Sequence, residues 1–195
     1  MKRYNLIGAI TALVKLKLVL LCATLGVAAA SPGYGQSLCA PQYPVPKDEG
    51  VVFFIQRSGN SNTIVYVANQ LADGAIDPDD PVEGYWRYLS GSGRKGPLRF
   101  LESQLAFGVN VKPLAGQPGK FSASLNAAPN IKVRLEPTPD GQVRAVMPVA
   151  NREAQLICVF VEWREGLGGI PNVVHVDFHG LTLDGAEHVI QRLRR

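Results

Sequence analysis

A mainly β chain, folded as an antiparallel sandwich or barrel of about ten strands with one short helix, is what three features of this sequence predict. Three successive stretches after residue 120 alternate apolar and polar side chains with strict period two, the pattern of strands that have one wet face. Pro, Gly or Asn separates each stretch from the next, as turns require. A further stretch, residues 154–163, is apolar on both faces and marks a central strand.

The strands begin at Val51. Residues 51–57 and 62–71 are rich in β-branched and aromatic side chains, and Ser58-Gly59-Asn60-Ser61 between them is turn chemistry, so a hairpin is expected. Asp73-Gly74 starts a reversal, and Asp77-Pro78-Asp79-Asp80-Pro81 leads into a third strand near 83–90. One helix is expected over 97–106, with Pro97 at the first helical position and Leu98, Leu101 and Leu105 at helical spacing; Gly108 ends it. A strand over 109–114 follows. Phe121, Ala123 and Leu125 then face one way against Lys120, Ser122 and Ser124. Ile131, Val133 and Leu135 repeat the pattern, as do Val143, Ala145, Met147 and Val149. In 154–163, Leu156, Cys158 and Phe160 fall on one face and Ile157, Val159, Val161 and Trp163 on the other. Strands over 172–181 and 186–195, joined at Asp184-Gly185, close the chain.

The N-terminus reads differently. Lys2, Arg3, Lys15 and Lys17 precede an apolar run over 18–30 that ends in Ala28, Ala29 and Ala30. A membrane-spanning helix needs about 20 apolar residues, a secretory signal only about 7 to 15. Residues 1–30 are therefore expected to be a signal peptide cleaved after Ala30, with a retained anchor as the competing reading. The protein is then exported, periplasmic or extracellular, with no transmembrane segment after cleavage. An extended segment over 31–50 and a single β domain over 51–195 remain; no repeat or low-complexity linker divides them.

Cleavage alters the charge. The leader holds no Asp or Glu, so removing its four cations from the chain's 20 basic residues leaves 16, equal to its 16 acidic ones. The sequence pI of about 9.0 belongs to the leader and is no nucleic-acid footprint. Cleavage also removes Cys22 and leaves Cys39 and Cys158 as one pair. An oxidising compartment favours a disulfide between them, worth roughly 4 to 5 kcal/mol for so long a loop in the chain-entropy model. Two separate thiols are the alternative.

Several motifs in order carry a resemblance. Phe53-Phe54-Ile55-Gln56-Arg57-Ser58, then Asn60, Asn62 and Ile64-Val65-Tyr66, followed by Pro81-Val82, Tyr85-Trp86, Leu101-Glu102 and Ala106-Phe107-Gly108, resemble an exported bacterial family known as domain of unknown function 4833. The likeness runs over roughly residues 51 to 190, and one departure is Phe107, where the family pattern carries Tyr. The resemblance implies a mainly β domain without an assigned activity and brings no catalytic residue. The polar and aromatic members of these motifs, Gln56, Arg57, Asn60, Asn62, Tyr66, Tyr85, Trp86 and Glu102, are candidate ligand-binding residues. Arg57 is suited to pair an anion or Glu102, and Trp86 to form a flat apolar wall. A structural account competes: the asparagines set the turn, Arg57 and Glu102 form an ion pair, and Tyr85 and Trp86 fill the core.

Three other patterns suggest chemistry. His175, Asp177 and His179 alternate along one strand and share a face, with His188 opposite or diagonal to His179 across the turn, so they are candidate metal ligands. Against that, residues four apart on a strand lie about 13 Å apart, a long reach for one ion. Gly91-Ser92-Gly93-Arg94-Lys95-Gly96 before the expected helix is a candidate anion loop, although no Gly-Lys-Ser/Thr ends it. The acidic turn Asp73, Asp77, Asp79 and Asp80 lacks the spacing of an EF-hand.

No Gly-x-Ser-x-Gly elbow is present, and no catalytic residue and no cofactor is assigned. The expected function is a non-enzymatic exported module that binds a small or amphipathic ligand or an envelope protein. The alternative is a hydrolase-like envelope enzyme acting on an anionic or glycan substrate. A deep pocket joining Arg57, Tyr66, Trp86 and Glu102 around a carboxylate of shifted pKa would favour the enzyme.

Overall fold

Among the described residues the chain forms eleven strands, and all join one sheet. The computed structural model describes residues 38–166 and 171–194; the expected leader and its cleavage site lie outside the described residues. β1 (Val51–Arg57) and β2 (Asn60–Ala68) form the expected hairpin, but its turn is only Ser58-Gly59. Gly59 sits at φ 101°, a conformation that L side chains rarely adopt, which lets Arg57 pair with Asn60. β3 (Val82–Arg87) and β4 (Lys95–Pro97) extend the sheet on one side. β5 (Val109–Pro113), β6 (Phe121–Leu125), β7 (Val133–Pro137), β8 (Val143–Val149) and β9 (Arg152–Glu165) form a meander, and β10 (Pro171–Thr182) and β11 (His188–Arg194) a final hairpin.

The strand order is β4-β3-β2-β1-β9-β8-β7-β6-β5, with β10 on the far edge of β9 and β11 outside β10. One edge of β9 is shared: its first residues pair antiparallel with β8, and Cys158 to Val161 pair in parallel with Phe54 to Arg57 of β1. The sheet curls into a half-barrel, so the mainly β expectation holds and the choice between sandwich and barrel resolves as a barrel wall left open. Its concave face carries the main core, including Phe53, Ile55, Tyr66, Phe121, Leu135 and Leu156.

Period two fails at bulges, in the β1–β2 hairpin beside Val52 and in the pairing of β9 with β10. On β9, Leu156 pairs with Gly180 and Cys158 with His179, so Ile157 is the extra residue. Leu156 therefore joins Val159 and Val161 in the main core, while Ile157, Cys158 and Phe160 pack on the convex side; the expected grouping of Leu156 with Cys158 is corrected. On β10 a second irregularity falls between Val173 and His175.

The helix also departs from expectation. Pro97 pairs with Tyr85 as the last residue of β4 instead of opening a helix. The helical segment is α1 (Phe100–Glu102) continued by a π-helical turn, Ser103–Phe107. The expected spacing of Leu101 and Leu105 is real, but both are more than 60 % exposed, at 66 % and 71 %. The main-chain ladder to β3 claims Gly96 and Pro97 and delays the first helical turn.

Residues 38–50 form a strap across the convex face. A disulfide joins Cys39 to Cys158, with Cα atoms 5.9 Å apart. Pro44 O accepts a hydrogen bond from Gln56 Nε2 at 3.0 Å, and Asp48 accepts one from Tyr85 Oη at 2.8 Å and from Arg87 Nε at 2.8 Å. Also buried is Glu136 on β7, which accepts from Lys120, Arg134 and Arg144. Burial alone would raise its pKa, but those three donors bring it from 4.5 down to about 2.

Two outcomes follow. Cys39→Ser is expected to lower unfolding free energy by about 2 to 5 kcal/mol, read as a fall in the urea midpoint, with a steeper slope because the unlinked chain unfolds to a more open state. Because the folded pKa of Glu136 is depressed, its stabilisation is complete above pH 4.5 and is lost as the pH falls towards about 2. Glu136→Gln should flatten that acid limb and cost about 1 to 3 kcal/mol at neutral pH, since its three partners can reach water; urea midpoints measured across that pH range check both.

Candidate functional site

The concave face is not filled everywhere. A trough of about 790 Å³ runs along it, within the range of small-molecule sites. Strand alternation builds one wall: Phe53 and Ile55 of β1, Leu156, Val159 and Val161 of β9, and Val176 and Phe178 of β10 all point inward. The opposite wall is Leu105, Ala106 and Phe107 of the π-helical turn, Val109 of β5, Leu125 of β6, and Ala128 and Ile131 of the β6–β7 connection. Most of this surface is apolar. The charged side chains along it are Arg57, Glu102 and Arg194.

The π-helical turn depends on Gly108. Its amide donates to Ser103 O at 2.9 Å, a bond that spans five residues, and Asn126 Nδ2 donates to the same carbonyl at 2.7 Å. A Cβ on residue 108 would lie 2.1 Å from Ser103 O, so only glycine allows this closure. Tyr66 Oη donates to Phe107 O at 2.9 Å, which fixes the end of the turn to β2. Burial raises the Tyr66 phenol well above its usual pKa, so it stays a neutral donor. Phe107 sets its ring edge against Trp86, with ring centroids 5.9 Å apart.

Arg57 lies at the end of the trough where β1 stops. The turn beyond it is clamped to β9: Trp163 N donates to Ser58 Oγ at 3.0 Å, and Trp163 Nε1 to Ser58 O at 2.7 Å. The Arg57 guanidinium carbon stands 4.8 Å from the centre of the Trp86 ring, a cation–π stack. Its Nε is buried and meets no acceptor among the described residues. Burial lowers the Arg57 pKa, and Glu102 offsets part of that effect. Arginine nevertheless keeps its charge at any physiological pH.

Glu102 does not pair with Arg57: no Arg57–Glu102 contact within 4.0 Å joins the ion pairs of the described residues, so the expected ion pair is corrected. Trp86 accounts for this. Its Nε1 donates to Glu102 Oε2 at 3.0 Å while its face carries the guanidinium. The Arg99 amide donates to the same oxygen at 2.9 Å. Burial would raise the Glu102 pKa, but these two bonds, with Arg99 and Arg57 nearby, hold it below the usual carboxylate value. It is an ionised acceptor and not a poised proton donor.

The other expected ligand-binding residues stand elsewhere. Gln56 is fully buried on the convex side under Pro44, and Tyr85 is bonded to Asp48 in the strap. Asn60 Oδ1 accepts from the Asn62 amide within the hairpin, and Asn62 Oδ1 accepts from Ser90 N and Oγ. Tyr66 and Trp86 lie behind the trough and hold its parts in place. Of the eight, Arg57 and Glu102 line it. Arg194, Trp163 and Val173 also line it and escaped the sequence reading; the apolar face of residues 159–163 was the available sign.

The histidine strip forms as expected in part. His179 Nδ1 and His188 Nε2 are 3.2 Å apart, and burial lowers the pKa of both rings. Asp177 is gripped by Arg192 through two bonds of 2.7 Å, and His175 Nε2 is 3.5 Å from its carboxylate. Among the described residues no group of three or more His, Cys, Asp and Glu is arranged to hold a metal ion. The glycine loop 91–96 runs into β4 and not a helix, with Arg94 over Tyr88 and Lys95 bonded to Glu83. In the acidic turn, Asp73 and Asp77 accept from the Ala75 and Asp79 amides. No helix among the described residues is long and apolar enough to cross a membrane.

No curated protein and no solved structure matches the chain. A family model described as a domain of unknown function (DUF4833) matches residues 53–192, from the first residues of β1 into β11. That match takes in every strand that builds the trough, together with Arg57, Trp86, Glu102 and Gly108, and the chain belongs to the DUF4833 family.

Proposed function

We propose that this domain is a non-enzymatic binding module, acting outside the cytoplasm, that takes an amphipathic small molecule into the trough of its half-barrel. The observation that carries this reading is the trough itself, about 790 Å³ with walls of Val, Leu, Ile and Phe and a few charged groups along it. Apolar surface removed from water there gains roughly 25 cal/mol per Å², so an apolar body supplies the affinity. Concave apolar sites with few convergent polar groups are the usual form of ligand pockets. The exported setting rests on the charged and apolar leader, and the Cys39–Cys158 bond suits an oxidising compartment.

The state of Glu102 argues against general acid catalysis in the trough. General acid chemistry calls for a carboxyl whose pKa is raised, and the two donors on Glu102 lower it. Tyr66 and Trp86, which a catalytic cluster would bring into the pocket, are engaged with Phe107 and Glu102 behind it.

The purified protein is expected to bind Nile red, a neutral apolar dye, with an enhanced and blue-shifted emission. Ala128 lies at the trough wall in a connection between strands, so Ala128→Trp fills the space without disturbing the sheet. It should weaken dye binding by about tenfold or more with an unchanged melting temperature. Unaltered dye affinity in that variant, or no dye binding by the parent protein, rejects the trough as the site.

A further inference from the structure

The trough has an apolar length and one distinctive end. There β1 stops at Arg57, which pairs with Val161, while Trp163 pairs with Val173, and His175 with Arg194. Two of the three charged side chains that line the trough, Arg57 and Arg194, are cations, and the third, Glu102, already accepts two hydrogen bonds on one oxygen. The lining thus carries a net positive charge.

Within the trough lining, Arg57 has a buried donor without a partner. Its flat face is used by Trp86, yet a guanidinium presents five N–H donors along its edges. No acceptor among the described residues takes a hydrogen bond from it, and Nε is buried where water does not replace one. A buried donor left without an acceptor is costly, and the cost is larger for a charged group. The Glu102 carboxylate is held by the same indole that supports Arg57. Such a guanidinium, stacked on one face and with its terminal nitrogens not buried, matches a planar anion with two oxygens.

We propose that Arg57 reads the head group of the ligand, and that the ligand class is an amphiphile with an apolar tail and a carboxylate head. This rests on the trough reading above and adds the charge and shape of the ligand's polar end. Trp86 is a positioning residue in this scheme: it sets the guanidinium plane and restrains Glu102 from neutralising it. Both carboxylate oxygens would accept from the edge of Arg57, with the tail lying along Ile55, Val159 and Val176.

The test is displacement of Nile red from the full chain by palmitate, cetyl alcohol and cetylamine, which share a tail and differ in the head. Palmitate is expected to compete about 10- to 100-fold better than the alcohol, and the amine worst. Arg57→Gln should abolish the preference for palmitate over the alcohol; Arg57→Lys should recover only part of the difference. Equal competition by palmitate and alcohol in the parent protein, with dye binding intact, overturns the head-group assignment and leaves the trough reading standing. A palmitate preference that survives Arg57→Gln places the anion elsewhere and equally overturns it. Failure of the dye to bind at all removes both. The comparison of heads in the parent protein needs no variant and therefore stands even where Arg57→Gln does not fold.

Discussion

The parallel pairing of β1 with the second half of β9 is the contact on which this architecture depends. Every other strand pair among the described residues is antiparallel and joins strands that are neighbours in sequence. Without β1 on β9, the hairpins β1–β2 and β3–β4 would form a ribbon detached from the meander. With it, β9 carries β8 and β1 in succession on one edge and β10 along the other. Three sets of inward side chains then meet on one concave surface, and the trough is the space that they do not fill.

The same junction fixes the polar end of the trough. The parallel ladder ends at Arg57 with Val161, and the Ser58 amide continues it by donating to Val161 O at 3.0 Å. Ser58 and Trp163 then exchange hydrogen bonds. A long, flexible side chain is thereby launched from a rigid backbone onto the face of Trp86, and little conformational entropy remains to be lost when its edge meets a partner. On the opposite side of the sheet the strap from Cys39 to Asp48 covers Phe54 and Gln56, so the two faces of β1 serve different ends.

Much of this was legible in the sequence, and the failures have physical causes. The alternation in Phe121/Ala123, Val133/Leu135 and Val143/Ala145/Met147 gave strand, face and order correctly, because a one-sided strand writes its burial directly into its residues. The bulge at Ile157 was hidden, because a bulge arises from two strands paired out of step and leaves no mark in one of them alone. Pro97 suited a helix start as well as a strand end, and only its pairing to Tyr85 decides. Arg57 and Glu102 were identified as a pair with a shared site, but the indole between them was not, since the positions of β1, β3 and the π-helical turn relative to one another are set by the whole curl of the sheet.

The long reach of the β1–β9 pairing has a consequence for how the molecule is made. Synthesis delivers β1 and β2 first, while the strand that must cover the open edge of β1 arrives late; the loop between Cys39 and Cys158 alone spans 119 residues. Such remote pairing belongs to the slow class of folding reactions. In the interval Phe53, Phe54 and Ile55 lie on an unprotected edge, the situation in which nascent chains associate with one another. Holding that first hairpin apart from its copies, and keeping Cys39 unoxidised until Cys158 is available, is therefore a demand that the topology places on whatever compartment and chaperones receive the newborn polypeptide.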